Sequence, residues 1–103
     1  MTRDAILDIL RRELPTLREL YGVEELALFG SFAAGQTTDK SDVDLLVSFR
    51  CPPGLAFVEL ADRLERILRR KVHLITRETV LREMESPRHR KIAAAIQEAL
   101  VYA

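Results

Sequence analysis

Cysteine is almost missing from this chain of 103 residues. The one present, Cys51, cannot close an internal disulfide and has no second cysteine at metal-ligand spacing, so neither a disulfide-stapled scaffold nor a thiolate zinc site is expected. An excess of one charge is missing too. Sixteen Lys and Arg balance sixteen Asp and Glu, so the basic footprint of a sequence-independent nucleic-acid binder is absent, and direct nucleic-acid binding is not expected. No apolar run approaches the length of a transmembrane span, and the N-terminus lacks the basic, apolar and cleavage-site segments of a signal peptide. The expectation is a cytoplasmic protein with no membrane partner. There are only two histidines, neither with an evident acidic partner in sequence, and the residues around Ser31 lack the flanking glycines of a hydrolase elbow. A serine hydrolase is set aside. Internal repeats and low-complexity segments are also absent.

What is present is ordinary in amount, with 48% hydrophobic and 31% charged residues, and this places the chain among globular domains. Its length suits one domain, residues 1–103, with a modest core. Ile6, Leu7, Leu10 and Leu14 recur at helical spacing, with Thr2 or Asp4 available as a cap. Pro15 then predicts a break and a second short helix over 15–20, ending near Gly22. Residues 25–29 are nearly all apolar and predict a strand buried on both faces. A helical turn is expected over 32–34, a polar loop over 36–41, and a strand over 42–48 with Val43, Leu45 and Val47 on one face and Asp42, Asp44 and Leu46 on the other. Phe57, Leu60, Ala61, Leu64, Ile67 and Leu68 mark a helix over 55–70. A third strand over 71–76, a short helix over 78–84 and a final helix over 88–101 follow. The fold class expected is α+β, a mixed sheet of about three strands flanked by helices.

The chemistry concentrates in residues 30–49. An apolar strand ends in Gly30-Ser31, and after ten further residues Asp42-Val43-Asp44 opens the next apolar run. Alternate residues of a strand share a face, so Asp42 and Asp44 stand roughly 6 to 7 Å apart at Cα. Two such carboxylates repel one another where water is scarce, and a divalent hard cation relieves this, since Mg2+ is usually held by one or two carboxylates together with substrate phosphates. Glycine permits a sharp turn and a close approach, and serine offers a hydroxyl beside backbone N–H groups at a helix start. Gly30 and Ser31 thus suit phosphate, and Asp42 and Asp44 suit the metal.

Gly30-Ser31, ten residues, then Asp42-x-Asp44 resembles the signature of the DNA polymerase beta-like nucleotidyltransferase superfamily, and the length and layout resemble its smallest branch, the minimal nucleotidyltransferases. The resemblance implies transfer of AMP from ATP to a protein hydroxyl, with Mg2+ (or Mn2+) on Asp42 and Asp44, and with Gly30, Ser31 and Ser41 on the nucleotide. It also implies a partner, a small all-helical HEPN toxin whose tyrosine receives the AMP, this chain being the antitoxin. Two positions depart from the family pattern. Ala34 stands where members carry arginine, and His73 stands where they carry a third carboxylate. His73 is therefore read in two ways, as a base or Mn2+ ligand beside Asp42 and Asp44, or as a partly buried histidine satisfied by a neighbour. The same departures leave room for a degenerate member that neutralises its helical partner by binding alone. Glu59, Asp62 and Glu78 are assigned to solvated helix faces.

Overall fold

In the computed structural model, which describes residues 2–35 and 42–103, the first element is a single helix, α1 (Arg3–Tyr21). The Thr2 hydroxyl caps it by accepting from the Ala5 N–H at 3.2 Å, and Gly22 closes it in the left-handed conformation (φ 71°), donating to the Arg18 carbonyl at 3.1 Å. Pro15 lies inside this helix, so the break and second helix expected there do not occur. The reason is tertiary. Pro15 is exposed, whereas Leu10, Leu14 and Leu17 continue one buried stripe through it, and burying that stripe outweighs one lost helical hydrogen bond.

β1 (Val23–Phe29) runs into α2 (Gly30–Ala34), and β2 (Val43–Phe49) is followed by α3 (Ala56–Leu68), β3 (Val72–Thr76), α4 (Arg77–Glu85), α5 (Arg90–Glu98) and β4 (Val101–Tyr102). The strand order is β3-β2-β1-β4. β1 is antiparallel to both β2 and β4, and β2 is parallel to β3 across the α3 crossover, so the sheet is mixed as expected. It gains a fourth strand where the last helix was expected to continue. That helix stops at Glu98, because Val101 and Tyr102 pair with Leu28 and Ala27, and the Ala103 N–H donates to the Leu26 carbonyl at 2.9 Å. A β-branched and an aromatic residue suit this edge. The loop expected over 36–41, and with it Ser41, lies outside the described residues.

The two faces of the sheet are covered unequally. On one, Leu26, Leu28, Val43, Leu45 and Val47 meet Leu10 and Leu17 of α1 and Leu60, Leu64 and Leu68 of α3 in the main core. On the other, Phe29 and Leu46 meet Val80 of α4 and Ala93 of α5 in a much smaller cluster. Residues 26–29 are buried throughout, as a strand covered on both sides requires.

At the junction of β1 and α2 the chain reverses through Gly30, at φ 73°. A side chain here would be strained, and its Cβ would collide with the Asp44 carboxylate, lying 3.0 Å from Cγ. Replacing Gly30 with alanine is therefore expected to lower stability by about 1–3 kcal/mol, read as a drop in the urea midpoint at unchanged slope. An unchanged midpoint would mean that the turn relaxes freely. Pro15→Ala should act in the opposite direction, raising stability by about 1–3 kcal/mol in the same measurement. A loss on Pro15→Ala would show that the helix depends on its proline.

Candidate active site

Three backbone segments meet at the end of the sheet where β1 finishes and β2 and β3 begin. Register decides which side chains share it. Phe29, the last residue of β1, pairs with Asp44, and Asp44 pairs on its other side with His73. The parallel pairing is anchored here by the Val43 N–H, which donates to the Lys71 carbonyl at 2.9 Å.

Asp44 is the centre of the arrangement. Its Oδ2 faces the Cα of Gly30, in space that only glycine leaves open, while its Oδ1 lies 3.2 Å from Nδ1 of His73. The carboxylate side chain is 25% exposed and the imidazole 62%. The ring is exposed rather than partly buried, but it is satisfied by a neighbour, the Asp44 carboxylate, and its other nitrogen, Nε2, takes no part in that contact. Energetically an exposed pair of this kind contributes little to stability, so its effect is to orient the ring.

Ser31 is half-buried in the first turn of α2, whose N-cap, Phe29, supplies no side-chain hydrogen bond to the helix start. Asp42 is exposed and stands immediately before β2, two residues from Asp44. Gly30, Ser31, Asp44 and His73 are thus drawn to one end of the sheet, Asp42, expected within the strand, lies just outside it, and Ser41 lies outside the described residues. Glu59, Asp62 and Glu78 are exposed on α3 and α4.

Among the described residues no group of three or more His, Cys, Asp and Glu side chains could hold a metal ion. That donor set does not make a protein cage. It does match a cation held by two carboxylates and completed by phosphate oxygens, and the partly exposed Asp44 side chain two residues from the exposed Asp42 fits such a cation.

Two features of this region escaped the sequence reading. Arg70 sits over the Phe32 ring at 5.3 Å, and Arg3 donates to the Ala33 carbonyl at 3.3 Å. Two arginines from elsewhere in the chain therefore flank α2, which itself carries none. The second is a cleft of about 310 Å³ between β3, α4 and α5, with His73 on its wall and His89 at its rim. The helical spacing of Ile92, Ala93 and Ile96 was the available signal, but it could not say which surface those residues leave open.

Comparison with known proteins identifies the family of the chain. The family model described as "Nucleotidyltransferase domain" matches residues 7–101. The chain is 44% identical over 80 residues to the "Putative protein adenylyltransferase MJ1215" of Methanocaldococcus jannaschii, covering 77% of this chain and 93% of the relative. It is 39% identical over 93 residues to the "Protein adenylyltransferase MntA" of Thermococcus cleftensis, covering 82% and 94%. Among solved structures, one described as a "putative minimal nucleotidyltransferase" superposes with a TM-score of 0.69 at 25% identity over 98% of this chain and 95% of that one. Another, a toxin–antitoxin solved with AMP-PNP, gives a TM-score of 0.51 at 27% identity over 74% of this chain and 57% of that one. The chain belongs to the nucleotidyltransferase domain family, in its minimal, MntA-like branch.

Proposed function

We propose that this chain transfers AMP from ATP to the hydroxyl of a protein side chain, a tyrosine of a helical HEPN-type toxin, and so acts in the cytoplasm as the antitoxin of a toxin–antitoxin pair. The observation that carries this reading is the Asp44 carboxylate held between the Gly30 backbone and His73. The adenylyltransferase names of the relatives, and the toxin–antitoxin likeness solved with AMP-PNP, support the reaction and the class of partner.

Gly30 and Ser31 receive the phosphates, together with Ser41, and Asp42 and Asp44 hold the divalent cation, Mg2+ or Mn2+, that accompanies ATP. When bound, such ions neutralise charge on the attacking and leaving oxygens of an in-line displacement. The acceptor oxygen forms a bond to the α-phosphorus, the bond from that phosphorus to the bridging oxygen breaks, and pyrophosphate departs. The acceptor's proton needs a base. With Nδ1–H donating to Asp44, the lone pair of His73 lies on Nε2, the nitrogen left to take that proton.

A second reading, in which the chain neutralises its partner by binding alone, draws on His73 and Ala34 in place of a carboxylate and an arginine. Calorimetric titration of ATP with Mg2+, followed by an AMP-transfer assay on the co-expressed partner, separates the two. The Asp42→Asn, Asp44→Asn double variant should lose metal-dependent ATP binding, transfer AMP at least about 100-fold more slowly, and cease to protect cells from the toxin. Protection that persists unaltered would establish the binding-only reading. In His73→Ala, ATP binding should hold while the transfer rate falls by about 10²–10⁴-fold, and exchange of Mg2+ for Mn2+ should not restore it. Full activity in that variant would remove His73 as the base.

A further inference from the structure

The reaction proposed above expels pyrophosphate, yet none of the residues assigned to it brings a fixed positive charge. Asp42 and Asp44 are themselves negative, and a divalent ion does not balance two carboxylates and a triphosphate. α2 adds little, because it has five residues, no basic side chain and too few turns for a useful dipole. A cation beside Gly30-Ser31 has to come from another element.

Arg3 and Arg70 both reach α2, and the structure separates them. Arg3 serves the far end, where it donates to the Ala33 carbonyl at 3.3 Å while its Nε lies 3.7 Å from Oδ1 of Asp4. Arg70 is fixed at the near end from two sides. Its guanidinium lies 5.3 Å from the centroid of the ring of Phe32, the residue next to Ser31, and that ring is itself buried in the main core. Its backbone leads into the Lys71 carbonyl, which accepts from the N–H of Val43, the residue between Asp42 and Asp44. Arg70 thus stands between the Gly30-Ser31 turn and the start of β2, three residues ahead of His73 and roughly 10 Å from it at Cα.

These two positions divide a triphosphate between them. The α-phosphorus has to lie beside Asp44 and His73, where the acceptor loses its proton, so a guanidinium upstream of both meets the phosphates beyond it. Its mounting suits that task. A guanidinium held by its face over an aromatic ring keeps its N–H donors in one plane, a fork that matches a pair of phosphate oxygens.

We infer that Arg70 grips the two phosphates that leave as pyrophosphate, offsetting the charge that builds on the bridging oxygen as its bond to the α-phosphorus breaks. The inference rests on the triphosphate reading given above and deepens it by naming the cation that the leaving group meets.

The test is calorimetric binding of ATP and of inorganic pyrophosphate, each with Mg2+, to the full natural chain and to Arg70→Met, Arg70→Lys and Arg69→Gln. Methionine keeps an unbranched side chain on the Phe32 ring, and the urea midpoint checks that each variant folds. Arg70→Met should weaken ATP and pyrophosphate alike by about tenfold or more, and Arg70→Lys, which keeps the charge without the fork, by about threefold or more. Arg69→Gln removes an equal charge one residue away, at the exposed cap of α3, and should leave both ligands within about twofold. Natural affinity for both ligands in Arg70→Met, or a loss for ATP alone, overturns the grip and leaves the phosphate site standing. An equal loss in Arg69→Gln overturns it too, since the effect would then belong to the general field of the domain. Where Arg70→Met does not fold, Arg70→Lys decides, and natural affinity for pyrophosphate in that variant overturns the inference. Binding of neither ligand by the natural chain overturns the phosphate site and the grip with it.

Discussion

Everything at the working end of this fold depends on one close approach, that of the Gly30 backbone to the carboxylate of Asp44. The approach requires a residue without Cβ at a positive φ, which fixes glycine at the end of β1. It also requires β1 and β2 to pair in the one register that sets Phe29 opposite Asp44. The same register, carried across β2 into the parallel β3, delivers His73 to the other side of the carboxylate. A slip of one residue in β2 would turn Asp44 into the leucine-lined core and bring Val43 or Leu45 into its place.

That register is held by the opposite face of the sheet. Val43, Leu45 and Val47 alternate with Asp44 and Leu46, and are locked against α1 and α3 by fully buried leucines. The polar end of β2 is thus positioned by apolar residues that never touch it. Burial supplies the free energy, and alternation directs it to the carboxylate.

Much of this was legible in the sequence because the signals were local and reinforced one another. Gly30-Ser31 follows an apolar strand, the Asp42-Val43-Asp44 alternation opens another, and the alternation of residues 71–76 places His73 apart from Val72 and Leu74. The misreadings have a common cause. Pro15 breaks helices by a local rule, but the stripe of Leu10, Leu14 and Leu17 answers to the sheet below it. Ile92, Ile96 and Leu100 keep helical spacing past the end of α5, while the backbone there is claimed by Ala27 and Leu28, more than seventy positions away. Arg70 and the α4–α5 cleft depend on how elements pack, which no periodicity encodes.

The unequal covering of the sheet has a mechanical consequence. The strands that carry the floor of the candidate site, Gly30 and Asp44, pack into the large core, whereas α4 and α5 beside it rest on a smaller cluster whose buried members, among the described residues, are Phe29, Leu46, Val80 and Ala93. Local opening is governed by how much apolar surface an element buries, so the helical pair can lift while the carboxylate stays in place. Any molecule gripped by both parts joins the loosely held half of the domain to the rigid one, and the free energy of that joining is drawn from its own binding. In this domain, occupancy and rigidity are two readings of the same equilibrium.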